Sequence, residues 1–217
     1  MKRIVRSTVQ TAVNLVFFAV IGTAVLATTY YLTRDTISAT VEAAKLKLIS
    51  QLLPADSYNN DIMRDTLALP ADALLGTEDL TLAHVARRDG KPVAVVLEVV
   101  AREGYSGNIQ MVLAIRSDGA LSGVRVTSHK ETPGLGDYID IAKSDWIRVF
   151  EGKARGNDAD WKVKKDGGQF DSMAGATITP RAVVKASLLA LQYFDAHREQ
   201  LLAQTKPNAQ GAGHPQR

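Results

Sequence analysis

The stretch from Val9 to Leu32 constrains this chain more than any other, because it is almost continuously apolar and meets no charge until Arg34. About twenty such residues in a helix cross the hydrocarbon core of a bilayer, so the run predicts a single membrane span. Lys2, Arg3 and Arg6 precede it, and Tyr30 and Tyr31 follow at the far interface. An excess of cations before the span predicts a cytoplasmic N-terminus, with the large C-terminal part on the other side. Val25-Leu26-Ala27 would suit a signal peptidase. The run continues through the tyrosines, however, which favours an uncleaved anchor.

Beyond the span, Thr36 to Leu53 carries apolar residues at helical spacing, with Asp35 or Thr36 as the expected cap and Pro54 as the stop. Pro54 to Gly76 is rich in Asp, Asn and Pro and reads as a loop. Leu80–Arg88, Pro92–Ala101, Ile109–Arg116 and Ala120–Thr127 then read as strands. The turn signals Arg88-Asp89-Gly90-Lys91 and Ser117-Asp118-Gly119-Ala120 predict at least two hairpins among them. Asp137 to Phe150 reads as helix, Trp161 to Lys165 as a short strand, and a strongly apolar-periodic helix starts at Pro180. The fold class expected is therefore α+β: one N-terminal transmembrane helix, then an antiparallel sheet with flanking helices. Lys206 to Arg217, with Pro, Gly and Gln but no apolar run, reads as a disordered tail.

Composition narrows the chemistry. With no cysteine, the chain holds neither a disulfide nor a thiolate-ligated iron–sulfur cluster, and it lacks the motif for covalent haem. Its four histidines show no paired ligand spacing, so no metal site is expected. The formal charge of +3 is spread among acids rather than gathered with aromatics, which argues against nucleic acid as a partner. No Gly-x-Ser-x-Gly segment or Ser-His-Asp constellation suggests a hydrolase. A redox role would need a bound organic cofactor or a haem.

One segment offers a place for such a group. Asp171-Ser172-Met173-Ala174-Gly175-Ala176-Thr177-Ile178-Thr179-Pro180 sets hydroxyls beside small residues just before the last helix, with Thr179 as its expected N-cap and Pro180 at its first position. The free amides and positive dipole end there favour an anion, and Gly175 and Ala176 let a bulky group approach the backbone. An ordinary capped helix would have the same local sequence. Two further loops carry glycines: Gly104-Tyr105-Ser106-Gly107, where Tyr105 could pack on an aromatic ring, and Glu131-Thr132-Pro133-Gly134-Leu135-Gly136.

Asp171, Gly175, Ala176 and Thr177 resemble the flavinylation motif of the FMN-binding domain family, in which an Asp precedes a Gly-Ala-Thr triplet and that Thr is esterified to the phosphate of FMN. Ser128 to Asp137 and Gly104 to Ile109 also look like this family, and the likeness runs from about Thr81 to Tyr193. Family members often have Ser or Thr before the Gly, where this chain has Ala174. Within the family the chain most resembles the G subunits of ion-translocating Rnf electron transport complexes, relatives of the C subunits of sodium-pumping NADH:quinone reductases. The resemblance implies a bacterial inner-membrane protein with a periplasmic domain whose covalent FMN relays electrons among other membrane subunits. It also implies maturation by a magnesium-dependent flavin transferase, since threonine is a poor nucleophile and no activating base is visible.

The residues implied at the flavin are Thr177 as acceptor, with Asp171 for recognition or positioning. Gly175, Ala176 and Thr179 lie beside the acceptor. The loop carrying Glu131, Thr132, Gly134 and Leu135 is implied near the isoalloxazine, with Tyr105 on the other loop. Arg181 and the helix amides would stabilise the charge kept by the phosphodiester. On this reading residues 1–8 are cytoplasmic, 9–32 span the membrane, 33–76 form a helix and loop, 77–203 form the flavin domain and 204–217 the tail. The same layout would suit a membrane-anchored binding or sensor domain, or a structural subunit without flavin.

Overall fold

The computed structural model describes residues 2–203, with side chains described except at 2–5, 7–8 and 35–44, so the expected tail lies outside the described residues. Two compact units divide between Leu46 and Lys47. The first is helical over its described residues, and its segment Val9–Arg34 is long and apolar enough to cross a membrane, with a mean hydropathy of 2.0. Every described side chain in that segment is exposed. Helix α1 runs without interruption over Lys2–Leu52. The boundary expected at Asp35 or Thr36 is absent, because no Gly or Pro falls between Gly22 and Pro54 to stop the backbone ladder.

The second unit is built on a fully antiparallel five-stranded sheet whose spatial order follows the chain. Its strands are β1 (Thr66–Leu69), β2 (Thr81–Arg88), β3 (Lys91–Gly104), β4 (Gly107–Arg116) and β5 (Leu121–Ser128). β2 to β5 match the expected strands, while β1 lies inside the segment expected to be loop. At four residues it is too short to show a period of two, and it pairs only with β2. The Asp89-Gly90 hairpin has positive φ at both positions, 51° and 77°, the signature of a type I′ turn.

Alternation along β3 and β4 fills a core on each face. Val95, Leu97, Val99, Met111, Leu113 and Ile115 face the C-terminal helix α2 (Ile178–Leu201) and the aromatic cluster around Phe150. Ala94, Val96, Val112 and Ala114 face the opposite way, onto Ile49, Leu52, Leu53 and Ile62. A sheet covered on both faces explains why these strands read as nearly continuous apolar runs.

Between β5 and α2 the chain is irregular. Asp137–Phe150 is not one helix but two 3-10 turns, Asp137–Ile139 and Asp145–Phe150. Asp140 accepts the Ala142 amide at 2.9 Å and Ser144 the Trp146 amide at 3.1 Å, and these local bonds replace the helical ladder. The strand expected at Trp161–Lys165 is reduced to a single bridge, Val163 to Phe170. The chain folds back there so tightly that a Cβ on Gly168 would stand 2.1 Å from the Lys162 carbonyl oxygen.

Helix α2 begins earlier than expected. Thr177, not Thr179, occupies the N-cap position, and Pro180 is the third helical residue. Proline is tolerated there because the amide it lacks belongs to the unpaired first turn.

Candidate functional site

The N-terminal end of α2 meets the hairpin between β3 and β4 and the loop 131–136. Glu131 joins all three. Its carboxylate accepts the Ser106 amide at 3.0 Å through Oε1 and the Thr179 hydroxyl through Oε2. This packing dictates glycine at two neighbours. A Cβ on Gly104 would lie 2.2 Å from the Gly107 carbonyl oxygen and 2.9 Å from Glu131 Oε1, and one on Gly136 would lie 3.0 Å from Thr179 Oγ1. The loop itself is closed by the Leu135 and Gly136 amides on the Thr132 carbonyl and by the Gly134 amide on Asp137 Oδ1 at 2.8 Å. Gly134 takes a φ of 73°, which suits glycine.

The segment leading into α2 hangs on two aromatic side chains rather than on a ladder. Tyr138 is buried, its hydroxyl accepting the Met173 amide at 3.3 Å and donating to the Ala176 carbonyl at 3.4 Å. The indole Nε1 of Trp146 donates to the Asp171 carbonyl at 2.8 Å. The two rings meet edge to face at 5.4 Å. Burial pushes the Tyr138 phenol above its ordinary range, against the smaller opposing effect of the Met173 amide. Sequence reading missed both residues, because their only signal is aromatic character inside a segment with helical spacing.

A cavity of about 120 Å³ lies between these segments. Tyr105, Glu131, Thr132 and Leu135 line one side, and Gly175, Ala176, Thr177 and Thr179 the other. Gly136 and Ile178 complete the wall, neither of them singled out from sequence. The rim is apolar and open: Tyr105 is 66% exposed, Leu135 41% and Ile178 44%. Such a volume is well below the roughly 300–1,000 Å³ of enclosed small-molecule sites. It can seat one part of a flavin and leave the remainder against the exposed rim.

The two threonines differ sharply. Thr179 is 2% exposed and its hydroxyl is committed to Glu131. Thr177 is half-buried on the cavity wall, and its side chain makes no cap hydrogen bond. Three residues singled out from sequence do not line the cavity. Gly134 shapes the loop behind it. Asp171 is exposed and paired with Lys164 at 2.7 Å. Arg181 points to Asp166, which it grips through Nε and Nη2 at 2.6 and 2.8 Å. That guanidinium holds the Asp166 carboxyl below its usual range. Among the described residues no cluster of His, Asp and Glu could hold a metal ion.

Comparison with known proteins agrees with this layout. The FMN-binding domain family matches residues 104–192, which contain all three cavity segments, and the RnfG N-terminal region matches residues 1–52. A Pseudomonas aeruginosa protein named as the G subunit of an ion-translocating oxidoreductase complex is 46% identical over 211 residues, 96% of this chain and 97% of its own length. The protein of the same name from Vibrio atlanticus is 44% identical, covering 88% of this chain and 91% of its own. Among solved structures, Shewanella oneidensis NqrC aligns over 68% of this chain and 72% of its own, at 23% identity and a TM-score of 0.47. Identity at the level of the first two, along nearly the whole chain, means that it belongs to the family of ion-translocating oxidoreductase complex G subunits, with an FMN-binding domain following its apolar N-terminal helix.

Proposed function

We propose that the chain is the membrane-anchored flavoprotein subunit of an ion-translocating electron transport complex, and that FMN is joined by a phosphoester to Thr177. The observation that carries the site is the contrast between the two hydroxyls at the start of α2: Thr177 is uncapped on the cavity wall, whereas Thr179 is buried and donates to Glu131. A phosphodiester at Thr177 would sit at the positive end of α2, where a negative charge is favoured. Tyr105 and Leu135 offer apolar surface to a ring, and the glycines leave room for it. When bound, the flavin supplies the electron-carrying chemistry; the protein supplies its tether, its orientation and the polarity around it. Asp171, exposed on the segment before the acceptor, is assigned to recognition by a flavin transferase.

The single span predicts a cytoplasmic N-terminus and a periplasmic flavin domain in the inner membrane. One span cannot itself enclose an ion pathway, so translocation is shared with other membrane subunits, and this chain relays electrons between their redox centres. The direct test is the intact mass of the full chain made together with a flavin transferase, with in-gel flavin fluorescence after denaturation. Wild type and Thr179→Ala are expected to carry the flavin, and Thr177→Ala to lack it. Retention of the flavin in Thr177→Ala would move the site, and its absence from wild type would sink the covalent reading.

A further inference from the structure

Glu131 is a buried acid with no cationic partner among the described residues. It is 4% exposed, and no Lys or Arg among the described residues forms an ion pair with it. The buried guanidinium groups of the same domain are paired, Arg87 with Asp65 at 2.8 Å and Arg125 with Glu151 at 3.4 Å, whereas the buried Asp137, like Glu131, is held by a backbone amide, that of Gly134. The compensation for Glu131 is the Ser106 amide, the Thr179 hydroxyl and the first turn of α2. Oε1 accepts from the Ser106 N–H, which can only donate, and Oε2 accepts from the Thr179 hydroxyl. Removing a charge from water without a counter-ion is costly, and a glutamine of the same shape would fill the space more cheaply. A device that only stapled three segments would not need the charge.

Resting on the reading of Thr177 as the flavin's attachment point, we propose that Glu131 lowers the reduction potential of the flavin held in this cavity, through its negative charge, while it positions the hairpin and α2. Glu131, Thr177 and Thr179 line one cavity. Any part of a flavin seated there therefore lies beside the carboxylate in a partly dry setting, where charges interact strongly. Reduction brings two electrons to the ring. When one proton from solvent accompanies them, the ring gains one net negative charge. Glu131 opposes that gain, so the oxidised form is favoured and electrons are passed on more readily.

The test is a reductive titration of the full, flavinylated chain in detergent against a reference dye. Dithionite is the electron donor and is oxidised to sulfite. Glu131→Gln keeps the shape and removes the charge. It is expected to carry flavin by mass, to melt near wild type, and to raise the potential by a factor of ten or more in the equilibrium with the dye, about 30 mV for a two-electron couple. Thr179→Val keeps the charge and removes one donor that offsets it, so its potential is expected to move downward. A change below threefold in flavinylated Glu131→Gln overturns the proposal and leaves the Thr177 assignment standing. An upward shift in Thr179→Val overturns it as well, because disturbed packing would then explain both variants. Wild type without flavin on Thr177 defeats the underlying reading instead, and the inference with it.

Discussion

The start of α2 turns on which of two threonines is spent on structure. Thr-x-Thr-Pro suggests that the second caps the helix, because proline commonly holds the first helical position. The helix begins two residues earlier, and Thr179 turns inward to Glu131, a partner 48 residues away that no local pattern reveals. Thr179→Val is therefore expected to cost about 1–3 kcal/mol, since it leaves a buried carboxylate oxygen without its donor. Denaturant unfolding of the solubilised chain measures this. Tyr138 makes a second case. Its raised phenol titration means that the fold favours the neutral side chain. That contribution is intact below the ordinary tyrosine value of about 10 and is lost as pH rises through the raised one. Alkaline loosening of the 171–177 segment, read by proteolysis or hydrogen exchange, is expected in wild type. In Tyr138→Phe the segment is expected to be loose already at neutral pH, without a further alkaline step at this position.

At the scale of elements, legibility followed the length and regularity of the pattern. β3 and β4 are long and apolar on alternate faces, and Asp89-Gly90 marks its turn unmistakably, so these strands were readable to within a few residues. β1 was not, because four residues carry no period and its place depends on β2. The segment from Asp137 to Phe150 has helical spacing but also Asp140 and Ser144, whose side chains capture nearby amides and break the ladder. The candidate site was legible as three glycine-bearing loops, whereas Glu131 as their junction and Tyr138 as a clamp emerge only in three dimensions. Packing sets a further expectation. Phe194 on α2 is fully buried in the core against the sheet, so Phe194→Ala should cost about 3–5 kcal/mol in the same unfolding measurement. A loss below about 1 kcal/mol would mean that α2 is far less tightly packed than described.

For the whole molecule, the apolar segment and the flavin domain make separate claims. A reporter active only in the cytoplasm, fused after Arg217, is expected to stay silent; activity there would reverse the proposed orientation. Detergent extracts should yield the chain together with other membrane subunits. Thr177→Ala should stop electron flow through that assembly without dispersing it, and normal flux in the variant would favour a structural role. The sheet also has a temporal consequence. Each strand pairs with the one made just before it, so the sheet can assemble hairpin by hairpin in the order of synthesis, with little loop entropy to overcome at each step. Helix α2 is different, for it must return from the far end of the domain to cover β3. Thr177, the proposed acceptor, thus stands at the start of the last described element to arrive. On the proposed attachment, a nascent chain halted before α2 should hold a half-covered sheet that a flavin transferase leaves unmodified, and attachment of the cofactor would then report that folding has finished.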